Sequence, residues 1–102
     1  MITVIAEIKV KPGHRETVLK AIEKLIPSVL AEEGCGGYQP LVDIKAQVPW
    51  KQSLPDSVFM LEKWESIAHL EKHLEMEHMH QHRATIKDSV LDVNIQVLEE
   101  AL

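Results

Sequence analysis

The chain has 102 residues, 45% of them hydrophobic, which sets the expectation of one domain, residues 1–102, with a small core. Its formal net charge of −5 argues against nucleic acid as a partner, because a phosphate backbone requires a basic face. No apolar run approaches the roughly 20 residues needed to span a bilayer, and the lone cysteine excludes an internal disulfide and suits a reducing cytoplasm.

The N-terminal stretch ITVIAEIKVK alternates, with Ile2, Val4, Ala6, Ile8 and Val10 on one face. A period of two predicts a half-buried strand, and an alternating start is neither a signal peptide nor an anchor. Pro12-Gly13 ends it with turn chemistry. From His14 onward, Val18, Ile22, Leu25, Ile26, Val29 and Leu30 follow the spacing of an amphipathic helix. Gly34 is placed as its C′ residue, and Pro27 inside it predicts a kink.

GYQPLVDIK (37–45) reads as a second strand, with Pro40 marking an edge or a bulge. SVFMLEKWE (57–65) reads as a third. The connection between them, 46–56, holds two prolines and an exposed Trp50, and is longer than the usual 2–5 residues of a hairpin loop. Ser66 is a candidate cap for a second helix that turns Ile67, Leu70 and Leu74 inward. That helix breaks near Glu77 and resumes through Ile86. SVLDVNIQVL (89–98) alternates again, with Leu91, Val93, Ile95 and Val97 opposite Asp92, Asn94 and Gln96.

The resulting order is β-α-β-β-α-β. It predicts an α+β fold of the ferredoxin-like type, with one antiparallel sheet and both helices on one face. The other face is mixed, with Ile5 beside Thr3, Glu7, Asp92, Asn94 and Gln96. A domain this small buries only about 60–70% of its unfolded surface, so the expectation is a homodimer that packs two sheets together.

WESIAHLEKHLEMEHMHQH (64–82) carries five of the six histidines. At about 100° per residue, His73 lies roughly 60° from Leu70, on the shoulder of the apolar stripe, and His69 lies further round. His80 and His82 fall past the helix break in a polar run and read as surface groups. Three readings stay open: a solvated polar face, a metal site, or one or two histidines lining a ligand pocket. A metal is disfavoured because no HExxH, CxxC or two-histidine-one-carboxylate pattern is completed. Trp64, at a strand end, can wall a pocket beside His73. Glu62 shares its strand face and can hold or orient a proton if buried near a histidine. Tyr38, after Gly36-Gly37, can plug the sheet. Cys35 reads as a small buried hydrophobe, since Glu32 and Glu33 do not favour a thiolate.

Three segments, TVIAEIKVKPGH, SVLAEEGCGGY and EKWESIAHLEKHLEMEHM, resemble the antibiotic-biosynthesis-monooxygenase family, nearest its bacterial quinol monooxygenase branch. The resemblance covers nearly the whole chain. Its most specific part is a strand-end tryptophan followed nine and fourteen residues later by histidines, here Trp64, His73 and His78. It implies a dimeric α+β barrel that oxidises quinols or related phenolic aromatics with O₂ and without metal or flavin. It also implies His73 as base or hydrogen-bond partner and His78 as second candidate. Trp64, Glu62, Tyr38 and His69 are then the substrate-binding set. Relatives that act as isomerases on small signalling metabolites, or non-catalytic binders of a hydrophobic ligand, supply the alternatives. A haem-degrading reading is disfavoured because the first strand has no asparagine.

Overall fold

The computed structural model describes residues 1–102. Strand β1 (Ile2–Val10) runs through the middle of the sheet and turns Val4, Ala6, Ile8 and Val10 into the core. Helix α1 (Arg15–Leu30) lays Val18, Ile22, Leu25 and Val29 over that face, and it continues through Pro27. Strands β2 (Cys35–Leu41) and β3 (Ser57–Trp64) follow, then helices α2 (Ile67–Leu74) and α3 (Glu77–Ile86), a 3₁₀ turn (Lys87–Ser89) and β4 (Val90–Leu98). The sheet order is β2-β3-β1-β4, antiparallel throughout, with Ile2 opposite Trp64 and Ala6 between Met60 and Ile95. This is the ferredoxin-like arrangement that the alternations predict.

Several local expectations change. Strand β2 stops at Leu41, and Pro40, opposite Met60, does lie on an edge strand. Helix α1 is capped at Ala31, so Gly34 is not its C′ residue. Gly34 instead takes a left-handed φ of 82° in the turn into β2, where a Cβ would run into the His69 ring. Ser66 caps α2 as expected, its Oγ accepting the His69 N–H. Ile67, by contrast, is half exposed, because the helix starts with that residue facing out.

The largest departure is β4. Val93, Ile95 and Val97 pair with Ile8, Ala6 and Val4 and share their face, yet all three are exposed. Leu91 and Leu98 are exposed as well. The helices pack over β2 and β3, with the inward residues of β1 buried beneath them, and leave β4 bare, so most of its apolar alternation does not enter the core of this chain.

Candidate active site

A cavity of about 350 Å³ opens between the sheet and helices α2 and α3, within the usual range of small-molecule sites, roughly 300–1,000 Å³. Its floor is sheet: Ala6, Ile8, Met60, Tyr38 and Glu62. Its roof is helix: His73, Leu74, Met79, His82 and Ile86. Arg83 and Lys87 stand at one side, and Val90, Val93 and Ile95 of the bare strand form the outer wall. The lining is mostly apolar, so a flat hydrophobic ligand is matched by area and the few polar groups set its orientation.

His73 is the most constrained of those polar groups. It is buried to 1% exposure. The Trp64 ring lies against it at 4.5 Å between centroids, and Tyr38 meets it edge-on at 5.7 Å. Its Nδ1 is 2.8 Å from Oε2 of Glu32, and the same oxygen is 2.7 Å from Nε2 of His78. Glu32 sits in the turn after α1, where its N–H donates to the Val29 carbonyl and its own carbonyl accepts from Cys35. A further bond, from Glu65 N–H to the Gly34 carbonyl, ties that turn to the β3–α2 junction. The turn therefore delivers a carboxylate to the back of α2 from the other side of the fold.

Glu62 Oε1 accepts from Trp64 Nε1 at 2.9 Å and lies 3.9 Å from His73 Nε2. Burial raises the Glu62 pKa above its ordinary value; the Trp64 hydrogen bond and His73 pull it partly back, and Glu32 adds to the rise. Tyr38 is raised far more strongly, chiefly by burial, with Glu62 and Glu32 adding to it, so it is a phenol and not a phenolate.

His82 corrects the surface reading of the polar run. It is 9% exposed and lines the cavity, because α3 is a new helix whose inward face carries Met79, His82 and Ile86. Burial lowers its pKa below 6.5, with Arg83 contributing. A depressed histidine gives stability that is complete above the unfolded value and lost as pH falls through the folded one. The thermal midpoint should therefore drop on acidification below 6.5, and His82→Leu should flatten that drop. An unchanged slope in the variant would reject the assignment.

The sequence model described as antibiotic biosynthesis monooxygenase matches residues 1–85. The chain belongs to the antibiotic biosynthesis monooxygenase family. It is 49% identical, over the full length of both chains, to an Escherichia coli K12 protein named probable quinol monooxygenase YgiN, and equally to the Shigella flexneri protein of that name. Among solved structures, PA3566 from Pseudomonas aeruginosa superposes with a TM-score of 0.82 at 27% identity, covering 99% of this chain and 94% of that one. A structure described as antibiotic biosynthesis monooxygenase gives 0.83 with full coverage of both chains; at 24% identity it speaks for the fold alone.

On this antibiotic biosynthesis monooxygenase scaffold the predicted residues fall in four places. His73, Glu62 and Tyr38 meet at the cavity. Trp64, fully buried, stands behind His73 and not in the cavity lining. His78 contacts the far side of Glu32 and lines a separate cleft beside α1, with Ser28 and Gln81. His69 stays outside both clefts, bonded to Ser66 Oγ at 2.7 Å and close to Glu33. The residue that sequence reasoning missed is Glu32. In the sequence it stands out only as a negative neighbour of Cys35, and it lies 41 positions from His73. No local period could report it; the EE pair just before a glycine-rich turn is the one trace. Cys35 is only part-buried, and burial raises its thiol pKa.

Proposed function

We propose that this chain is a cofactor-independent quinol monooxygenase with His73 as its base. The observation that carries the reading is the placement of His73: one ring nitrogen engages a carboxylate, and the ring borders an apolar cavity beside Glu62 and Tyr38. A histidine's ordinary pKa suits it to taking a proton near neutrality. Removing a hydroxyl proton from a bound quinol leaves an electron-rich anion that can reduce O₂ directly. The balance closes without another reductant: quinol plus O₂ gives hydroxyquinone plus water. The substrate supplies all four electrons, two by becoming a quinone and two by converting a ring C–H to C–OH. The apolar walls exclude water from the anion, and Glu62 and the Tyr38 phenol are placed to hold the ring oxygens. Family membership and the naming of the 49%-identical relatives support the same reaction.

The test is O₂ consumption with a reduced naphthoquinone, corrected for the rate without protein. Consumption should persist in chelator, and ¹⁸O from labelled O₂ should appear in the hydroxyquinone. Stoichiometric hydrogen peroxide with no label in the product would sink the monooxygenase reading in favour of simple quinol oxidation.

The same reading makes residues 1–102 one domain that works in the cytoplasm as a homodimer. The bare face of β4 supports the dimer: Val93 and Ile95 wall the cavity on the helix side of the sheet and are left exposed there, so a second copy laid over them would bury the strand and close the site. A species of 11.6 kDa persisting at micromolar concentration in sedimentation would overturn it. No helix is long and apolar enough to cross a membrane.

A further inference from the structure

The geometry points to Glu32 as a positioning residue that fixes the tautomer of His73, holding the proton on Nδ1 and keeping Nε2 as a bare acceptor toward the cavity. The inference rests on the reading of His73 as the base and adds the group that makes it one.

A neutral imidazole has one N–H and one lone pair, and a hydrogen bond at one nitrogen decides the chemistry of the other. Glu32 Oε2 takes contacts from two ring nitrogens, His73 Nδ1 at 2.8 Å and His78 Nε2 at 2.7 Å. A carboxylate only accepts, so both rings donate to it and the His73 proton sits on Nδ1. Nothing reverses that choice at Nε2. The nearest candidate, Glu62 Oε1, is 3.9 Å away, beyond hydrogen-bond reach, and already takes the Trp64 N–H at 2.9 Å.

The carboxylate is itself held in place. Its side chain is 6% exposed, its backbone is fixed in the turn after α1 by bonds to Val29 and Cys35, and His78 secures Oε2 from the outer side. When a substrate hydroxyl gives its proton to Nε2, the ring becomes an imidazolium whose Nδ1–H still points at Glu32. The new positive charge forms beside a fixed negative one, in a buried site where such pairing is strong. The proton stays on Nε2 until it returns to reduced oxygen, so Glu32 neither gains nor loses one.

Glu32→Gln is the discriminating substitution. A glutamine can turn its amide NH₂ toward Nδ1, which moves the ring proton to Nε2 and removes the acceptor from the cavity. Long-range ¹H–¹⁵N spectra of the neutral His73 ring read the tautomer directly, in the full-length protein and without substrate. The expected result is a protonated Nδ1 in the wild type and a protonated Nε2 in Glu32→Gln. Quinol turnover should fall about 10–100-fold in that variant, the scale for losing a group that orients a functional histidine, with KM little changed and partial recovery in Glu32→Asp. A wild-type ring protonated on Nε2 would overturn the proposal, as would a Glu32→Gln protein with wild-type tautomer and turnover. If the tautomer moves as expected while turnover does not, the role of His73 as base fails and the tautomer assignment stands. The wild-type spectrum decides the tautomer even if the variant does not fold.

Discussion

His73→Ala lowers turnover of a reduced naphthoquinone by about 10²-fold or more, the usual scale for removing a positioned base. The loss should fall mainly on kcat, because the apolar walls that hold the ring are other residues. Truncation also opens a hole between Trp64 and Tyr38, so the variant should be less stable too. His73→Gln separates the two effects: it retains much of the volume and cannot act as a base near neutrality. Both variants are to be assayed where circular dichroism shows them folded. His80→Ala is the contrast, since that ring is half exposed and bonds Arg83 on the surface. It should leave turnover intact and change stability within about ±0.5 kcal/mol. Full activity in His73→Ala would remove the base from the proposed chemistry.

Trp64→Ala has the largest expected effect on folding, a loss of about 3–5 kcal/mol. The ring is fully buried at the end of β3, pairs with the first residue of β1, and backs His73. Its N–H is also the hydrogen-bond donor to the buried Glu62 carboxyl. Against a typical total stability of about 5–15 kcal/mol, that loss takes a large share, and at the low end of the range part of the variant is already unfolded at moderate temperature. Trp64→Phe keeps most of the packing and removes only the donor, with an expected cost of about 1–3 kcal/mol for an unpaired buried acceptor. Urea titration measures both. A Trp64→Phe protein as destabilised as Trp64→Ala would show that the hydrogen bond dominates over the ring.

Much of this was legible in the sequence. Period-two alternation marked β1, β3 and β4, and period-3.6 spacing marked α1. Local chemistry at Ser66 marked the start of α2. These signals are local, and their order suffices for the sheet topology. His73 was legible for the same reason, because its offset from Leu70 on one helix gives its direction. His82 was not, since the interruption at Glu75-Met76 resets the helical phase. Counting from Met79 would have found it, as Met79, His82 and Ile86 keep their own helical spacing. Glu32 had no local signal, because its meaning comes from partners 41 and 46 positions away. The alternation of β4 marks a strand but not its exposure, since a period reports which residues share a face and not what covers that face.

The two rims of the sheet are unequal. On the β2 side the strand is seven residues long, has a register irregularity between Cys35 and Gly37, and includes Pro40, which offers no N–H. On the β4 side nine residues run without proline or glycine. Both edge strands carry one register irregularity near their first residues. The difference an incoming strand would meet is Pro40, with no N–H, on one rim and an unbroken row of N–H groups on the other. Growth by strand addition is therefore favoured from the β4 rim. Two copies that meet through β4 use up each other's competent rim and leave only blunt ones outside, a closed arrangement that does not propagate into a fibre.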